Sequence, residues 1–292
     1  MLKDARIRGL LLMAGAALSF AVMAAAGKQA GSSMPLLAVA FWRSFGSFLL
    51  LLPLVLAGTL PWRIRDRRGL GLRALSGTAA MACYFWTLGQ LPLAEALLWS
   101  HTSPLFTTLL AWWRLGERPR MRGLAGLLLA GLGIWGILRP DLGEVRADAL
   151  IGLLGGALAG LAYTQVRALR EEATWAVVFG FMGLASLFLA PAVILQSGTM
   201  PASGNVGWLA LAAVAATVAQ GLMTAGYARA PAGPASVAQT SAVLHAMWLG
   251  ALGFGEPPVP GSGPSALMLL AGIGLAAWPA RDESSLSRVR KS

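Results

Sequence analysis

Two segments of this chain match each other at a spacing of about 139 residues: PLAEALLWSHTSPLFTTLLAWWRLGERP at residues 92–119 and PAGPASVAQTSAVLHAMWLGALGFGEPP at residues 231–258. Each segment begins with a proline and ends with a Gly-Glu step shortly before another proline. A second motif, AGLGI at residues 130–134, returns as AGIGL at residues 271–275. Similarity at one long spacing indicates two copies of one structural unit.

The amino-acid composition indicates whether water or lipid surrounds this repeated unit. Hydrophobic residues make up 57% of the chain and charged residues only 12%, about half the charged share of a typical soluble domain. The apolar runs span roughly 17 to 24 residues, the length at which a helix crosses a bilayer core about 30 Å thick. The sequence therefore predicts an all-α integral membrane protein in contact with the lipid bilayer. Ten transmembrane helices are predicted, at residues 7–26, 35–57, 74–90, 93–113, 123–138, 149–169, 174–196, 205–228, 235–254 and 264–280.

The N-terminus could also be a signal peptide, because three basic residues precede an apolar run that ends in alanines. That run, from about Ile7 to Ala26, exceeds the 7 to 15 residues of a signal h-region, so we expect an uncleaved first helix. The single cysteine, Cys83, excludes an intramolecular disulfide and a CxxC metal or redox site.

The net charge of +11 could suggest nucleic-acid binding. The basic residues lie instead in short runs between apolar spans, and when successive loops alternate between the two sides, most of the 23 Lys and Arg residues fall on one side. That side includes the run from Arg63 to Arg73. Short basic loops stay in the cytoplasm, so the positive charge does not require a nucleic-acid partner and we expect none. We expect a multi-pass protein of the plasma (inner) membrane with both termini in the cytoplasm.

The repeat and the topology together predict the architecture. Five helices per copy is an odd number, so the second copy enters the membrane from the opposite side. We expect two inverted-topology five-helix repeats, at residues 1–140 and 141–292, joined through the polar loop 139–148. Inverted repeats are typical of secondary transporters, whose substrate site lies near the membrane midplane between the halves.

Several motifs resemble one transporter family. The run AFWR at residues 40–43, the Ala-Glu-Ala step at 94–96, Pro104-Leu105 and the exit Gly116-Glu117-Arg118 resemble the first repeat of the EamA-type drug/metabolite transporters, and Gly226-Tyr227-Ala228 and Gly255-Glu256 resemble the second. The resemblance implies a ten-helix carrier of small metabolites, often amino acids. The chain departs from the family at Val243, where a proline is usual, which leaves open whether the ninth helix kinks. The tryptophan content and the pattern around Trp99 and His101 also resemble the YddG-type exporters of aromatic amino acids.

The fourth span contains an unusual polar run, Ser100-His101-Thr102-Ser103, directly before Pro104. Proline cannot donate to the carbonyl four residues earlier, so a polar acceptor is freed among polar side chains. Local hydroxyl groups could repair such a kink. The alternative is the wall of a polar cavity, which we favour because broken helices at membrane depth are tolerated where a cavity covers them.

The ninth span places Ser241, His245 and Trp248 on one helical face. Other polar side chains either line the same cavity or form ordinary hydrogen bonds between helices. The predicted substrate-binding residues are Tyr84, Trp99, His101, Ser103, Tyr163, Gln220, Gln239, Ser241, His245 and Trp248. Arg43, inside the second span, needs a partner at that depth; it either binds a substrate carboxylate or has a structural role near the interface.

The leading functional hypothesis is a secondary transporter that exports small zwitterionic metabolites, with aromatic amino acids as the preferred substrates, by alternating access. An exporter of other metabolites or drugs is the alternative within the same class. A membrane enzyme using His101 and His245 as acid and base or as metal ligands is disfavoured, because no carboxylate is positioned with them. We expect no catalytic residue, no metal and no cofactor. We expect a small-molecule substrate as the partner and a monomeric protein.

Overall fold

The computed structural model describes residues 2–91, 93–139, 147–255 and 260–278, and every regular element in these ranges is a helix. The helices are α1 Leu2–Ala30, α2 Leu36–Leu56, α3 Arg67–Gln90, α4 Leu93–Ser100, α5 Ser103–Leu115, α6 Met121–Leu138, α7 Ala147–Ala168, α8 Thr174–Leu195, α9 Ser203–Arg229, α10 Ala232–Gln239, α11 Ala242–Phe254 and α12 Gly263–Ala277. The prediction of an all-helical protein is confirmed over these ranges. Most of the predicted join at 139–148, Glu256 and the basic residues after position 280 lie outside them.

The outer surface of the bundle is apolar. Six helices, α1, α2, α6, α7, α8 and α9, are long and apolar enough to cross a membrane, and between 33% and 50% of their most apolar windows is buried inside the protein. Large side chains such as Leu11, Ile194 and Leu252 are 67%, 79% and 82% exposed. A soluble monomer rarely exposes so much apolar surface, so lipid covers it and the chain is a multi-pass membrane protein.

Two of the predicted spans are interrupted. The fourth span consists of α4 and α5, which are separated at His101-Thr102, and the ninth consists of α10 and α11, which are separated at Thr240-Ser241. Both interruptions were expected as continuous helices, apart from a kink. The two breaks are 139 residues apart, the spacing of the sequence repeat.

Different local chemistry produces the two breaks. Pro104 lies in the first turn of α5, where its missing N–H leaves no intrahelical hydrogen bond unmade. The second break has Val243 in place of proline, so a proline is not needed for it. There the Thr240 hydroxyl donates to the Val237 carbonyl at 2.5 Å, and the Ser241 N–H donates to the Ala238 carbonyl at 3.2 Å. These three-residue turns tighten the chain and end α10.

The helices pack in four main pairs, which are α1 with α9, α3 with α7, α6 with α12 and α2 with α8. Glycine brings α6 and α12 into backbone contact. A Cβ atom built at Gly126 would lie only 2.6 Å from the Gly272 carbonyl oxygen and from the Ala276 nitrogen. The two helices therefore approach as closely as they do only because glycine occupies this crossing.

The glycines of α7 have a similar role against α4 and α5. A Cβ atom at Gly152 would collide with Trp99, one at Gly156 with Thr102, and one at Gly160 with the first turn of α5. Small residues at every fourth position of α7 therefore permit this close packing. The α4/α5 interruption is consequently held directly against the backbone of α7.

The start of α3 corrects one prediction. The Asp66 side chain accepts a hydrogen bond from the Gly69 N–H at 2.8 Å and caps the helix, so α3 begins at Arg67 rather than near residue 74. Arg73, assigned from the sequence to a cytoplasmic loop, lies on the second turn of α3 and is only 3% exposed. The early cap draws this arginine into the bundle.

Candidate functional site

His101 occupies the interruption between α4 and α5. Its Nδ1 atom lies 2.8 Å from the Leu97 carbonyl oxygen, which makes Nδ1 the protonated nitrogen of the neutral ring and leaves Nε2 as a hydrogen-bond acceptor. The next hydroxyl group, of Thr102, donates to the Trp99 carbonyl at 2.6 Å. The break thus satisfies its own backbone while it leaves an imidazole nitrogen available to a ligand.

Polar atoms without partners surround the second interruption. The Ser241 hydroxyl and the Gln239 side-chain oxygen are buried, and no described group forms a hydrogen bond with either. The Gln239 side-chain nitrogen lies 3.5 Å from the Tyr163 hydroxyl oxygen. Buried polar groups in proteins nearly always have partners, so these atoms mark a place where a ligand or water can bind.

Two tyrosines lie beside Gln239. The rings of Tyr163 on α7 and Tyr227 on α9 are stacked, with centroids 5.8 Å apart and an interplanar angle of 23°. Tyr227 is fully buried, and its hydroxyl group has no hydrogen-bond partner among the described atoms. Tyr163 therefore offers some accessible ring surface, and Tyr227 adds a buried hydroxyl group without a partner.

Arg43 projects from α2 into the bundle and is 8% exposed. Its Nη1 donates to the Met23 sulfur at 3.1 Å, and its Nη2 contacts the Met81 sulfur. Its Nε is buried with no hydrogen-bond partner. Thioether sulfur is a weak acceptor, so the protein itself solvates this charge poorly.

Arg73 on α3 has neutral partners as well. Its Nη2 donates to the Gln220 side-chain oxygen at 3.1 Å, and its guanidinium carbon lies 3.9 Å from the ring centroid of Phe181. Its Nε is buried and has no hydrogen-bond partner. Glycine at position 77 makes room for this group, because a Cβ atom there would collide with the Arg73 Nη1.

The two arginines and the two tyrosines form one electrostatic cluster. Tyr163 interacts electrostatically with both guanidinium groups, Tyr227 interacts with Arg73, and the two guanidinium groups are close enough to interact with each other. The cluster therefore joins α2, α3, α7 and α9 near the centre of the bundle.

The predicted site residues are distributed unequally. Tyr84, His101 and Tyr163 lie deep in the bundle and yet keep accessible surface, as expected for side chains that face an internal space. Trp99 is partly buried, with an indole N–H that has no described partner, and both Ser103 and Gln220 are buried. His245 lies nearer the periphery and Trp248 is 60% exposed, so the structure does not bring this pair into the cluster. A role in substrate binding stays a prediction for all ten residues.

Arg73 is a site residue that was not predicted from the sequence. It ends a run of five arginines at positions 63, 65, 67, 68 and 73, and hydropathy alone assigns the whole run to a loop. The signal that could have separated it is Asp66, a residue type that begins helices, seven positions earlier.

An ion pair closes one end of the bundle. Glu117, just after α5, lies 2.7 Å from the Arg167 Nε and also accepts from the Ala232 N–H at the start of α10, again at 2.7 Å. Arg167 also donates to the Tyr227 and Ala228 carbonyls at the end of α9. Glu117 therefore both pairs with an arginine and caps the start of α10. We call Glu117 and Arg167 the terminal clamp.

Comparison with known proteins agrees with this architecture. The model of the EamA-like transporter family matches residues 7–139. The pseudopaline exporter CntI of Pseudomonas aeruginosa is 31% identical over 224 residues, which cover 72% of this chain and 78% of the exporter. An uncharacterized transporter of Helicobacter pylori is 27% identical over 238 residues, which cover 77% and 79%.

A solved crystal structure shares the fold, with a TM-score of 0.74 at 21% identity over 97% of this chain and 99% of the other. Both the sequence relatives and the fold therefore extend well beyond the first half that the family model matches. The chain belongs to the EamA-like transporter family and is a member of the drug/metabolite transporter superfamily.

Proposed function

We propose that this protein exports small metabolites by alternating access at a site between two inverted five-helix repeats. The helix boundaries support the repeat, since α4 and α5 shifted by 139 residues give the bounds of α10 and α11. The left-handed glycine caps that end α5 and α11, Gly116 and Gly255, obey the same shift. The packing of the helices follows the same repeat. In it α1 corresponds to α7 and α3 corresponds to α9, and α1 packs against α9 just as α7 packs against α3.

The carrying observation is that both interrupted helices place unpartnered polar groups in the interior of a membrane protein. Irregular backbone at membrane depth is typical of transporter binding sites. His101 Nε2, the Ser241 hydroxyl and the Gln239 carbonyl provide one donor and two acceptors there. In this proposal both termini face the cytoplasm, as the basic loops favour, and the protein resides in the inner membrane.

An aromatic amino acid is the first candidate substrate. The stacked rings of Tyr163 and Tyr227 and the free indole N–H of Trp99 suit an aromatic side chain next to polar groups. A second candidate is a different metabolite, because one relative is a pseudopaline exporter and because the interior carries Arg43 and Arg73.

The test is counterflow exchange in proteoliposomes that contain the purified protein. Labelled phenylalanine, tryptophan and leucine are offered with and without a pH gradient, and empty liposomes are the first control. We expect saturable exchange that falls at least tenfold in Gln239→Ala, whereas Glu171→Gln, an exposed site outside the cluster, exchanges normally. Exchange of none of the three by folded protein would refute the amino-acid assignment, and normal exchange by Gln239→Ala would refute the site.

A further inference from the structure

We propose that Arg43 and Arg73 form a paired cationic site for a metabolite that carries two acidic groups. The proposal rests on the proposed function in one respect, which is that the metabolite bound by the two arginines is the substrate that the protein transports. It differs from the zwitterionic substrate expected from the sequence, because the ligand supplies the negative charge that the binding cluster lacks.

The first argument is the poor solvation of Arg43. An arginine keeps its charge in proteins, and a charge at membrane depth costs free energy unless carboxylates, carbonyls or water surround it. The contacts of Arg43 are the sulfur atoms of Met23 and Met81, and its Nε has no partner. An acidic group could accept hydrogen bonds from this fork in the bidentate geometry that arginine favours.

The second argument is that the guanidinium group of Arg73 is also buried and poorly solvated, although its partners differ from those of Arg43. One amide oxygen and one aromatic ring contact its guanidinium group, and again Nε is buried without a partner. Both partners are neutral, so the positive charge is left uncompensated. A structural arginine of this burial would be expected to pair with a carboxylate.

The third argument is that the described carboxylates are engaged elsewhere. Neither Arg43 nor Arg73 forms an ion pair with any side chain that the structure describes. Asp66 caps α3, Glu117 belongs to the terminal clamp, Glu171 pairs with Arg170, Glu172 accepts from the backbone at Arg65 and Asp66, and Asp148 accepts from Trp86. The side chain of Glu95 lies outside those that the structure describes. Among the described side chains, no carboxylate forms an ion pair with either arginine, so a ligand can supply the counter-charge.

The fourth argument concerns the shape of the site. Arg73, Gly77 and Met81 are spaced four residues apart and lie along one side of α3, and Arg43 contacts Met81 at its far end. The Arg73 Nη1 lies against Gly77 and the Arg43 Nη2 contacts Met81, so the two guanidinium groups contact α3 about one helical turn apart. This arrangement fits a ligand with two acidic groups better than an anion with one.

A zwitterion fits less well for an electrostatic reason. Its carboxylate could bind one arginine, but its ammonium group would then lie near the other and be repelled. The unpartnered hydroxyl group of Tyr227 can donate a further hydrogen bond to an acidic group. Donors therefore dominate the cluster, as in a site for anions.

The test measures binding and transport separately. Purified protein in detergent is titrated with glutarate, succinate and phenylalanine at constant ionic strength, and Kd is taken from the rise in Tm. We expect both dianion probes to stabilise the wild-type protein. Arg43→Gln and Arg73→Gln should each weaken glutarate binding at least tenfold, whereas Arg229→Gln, an exposed arginine outside the cluster, should bind as the wild type does.

Three further variants keep the test valid if a glutamine variant does not fold. Arg43→Lys and Arg73→Lys keep the charge but lose the planar fork, so binding should weaken less than in the glutamine variants. Gly77→Ala keeps every charge and displaces Arg73, so it should weaken glutarate binding without affecting Arg43. Equal affinity of the wild type and all these variants, or no stabilisation by either dianion, would overturn the proposal.

Exchange of labelled glutarate, succinate and phenylalanine in proteoliposomes then distinguishes the two proposals. Arginine-dependent binding of dianions without exchange of any probe supports the anion site and refutes transport of these compounds. Phenylalanine exchange that neither dianion inhibits supports transport and refutes the anion site.

Discussion

Weakening the terminal clamp should open the end of the bundle that is proposed to face the cytoplasm. The side chains of Arg167 and Glu117 are only 13% and 18% exposed, and Glu117 accepts two hydrogen bonds of 2.7 Å. A hydrogen bond to a charged group contributes about 1.5 to 3 kcal/mol. Glu117→Gln keeps one acceptor oxygen and loses the charge, so we expect a loss of about 2 kcal/mol, or roughly 30-fold in the equilibrium between closed and open states.

The assay uses a cysteine at Ser236 on α10, a site that is 2% exposed, in a Cys83→Ala background. The rate of its reaction with a membrane-impermeant maleimide is measured in inside-out vesicles. Glu117→Gln should raise this rate at least tenfold, whereas Glu171→Gln, which breaks an exposed pair at 3.3 Å, should leave it unchanged because exposed pairs contribute little. Equal rates in the two variants would refute the role of the clamp.

Three other predictions concern topology, packing and mechanism. Reporter fusions at Gly143 and Ser292 should report opposite sides of the membrane, and a report of the same side would contradict the inverted repeat. Gly156→Ala should lower the free energy of unfolding by about 1 to 3 kcal/mol through overpacking. Gly131→Ala should instead stabilise α6 slightly, because a Cβ atom there has nothing within 4 Å. Thermal unfolding in detergent measures both variants, and the reverse order of stability would contradict the packing. His101→Gln should keep most of the substrate exchange that His101→Ala loses, because glutamine still forms hydrogen bonds. It should lose substrate accumulation driven by a pH gradient. If His101→Ala leaves affinity, exchange and pH dependence unchanged, this residue has a structural role.

The helices could be predicted from the sequence because their signals are local. Apolar length, charge and proline placed the spans within a few residues of the observed ends, except at α3. There a single cap at Asp66 moved the start by seven residues, and this outweighed the loop-like charge of the arginine run. The polar run before Pro104 indicated the first irregularity, whereas Val243 left open whether the ninth span is kinked.

The side-chain environment of the site could be predicted only in part. A helical wheel places Ser241, His245 and Trp248 on one face but does not say which direction that face points. Packing decides this, and it leaves Trp248 60% exposed. The pairing of Arg73 with Gln220 joins residues 147 positions apart, and no local pattern predicts such a contact.

The backbone contact between α6 and α12 has a consequence for biosynthesis. The first residues of these helices are 142 positions apart, at Met121 and Gly263. At a synthesis rate of about 5 to 20 residues per second, α6 waits roughly 7 to 30 s for its partner. The Gly126 side of α6 faces lipid or another temporary neighbour during that interval. Over the described residues α12 has 15 residues, fewer than the roughly 20 that cross a bilayer core, so its close contact with α6 contributes to its stable insertion.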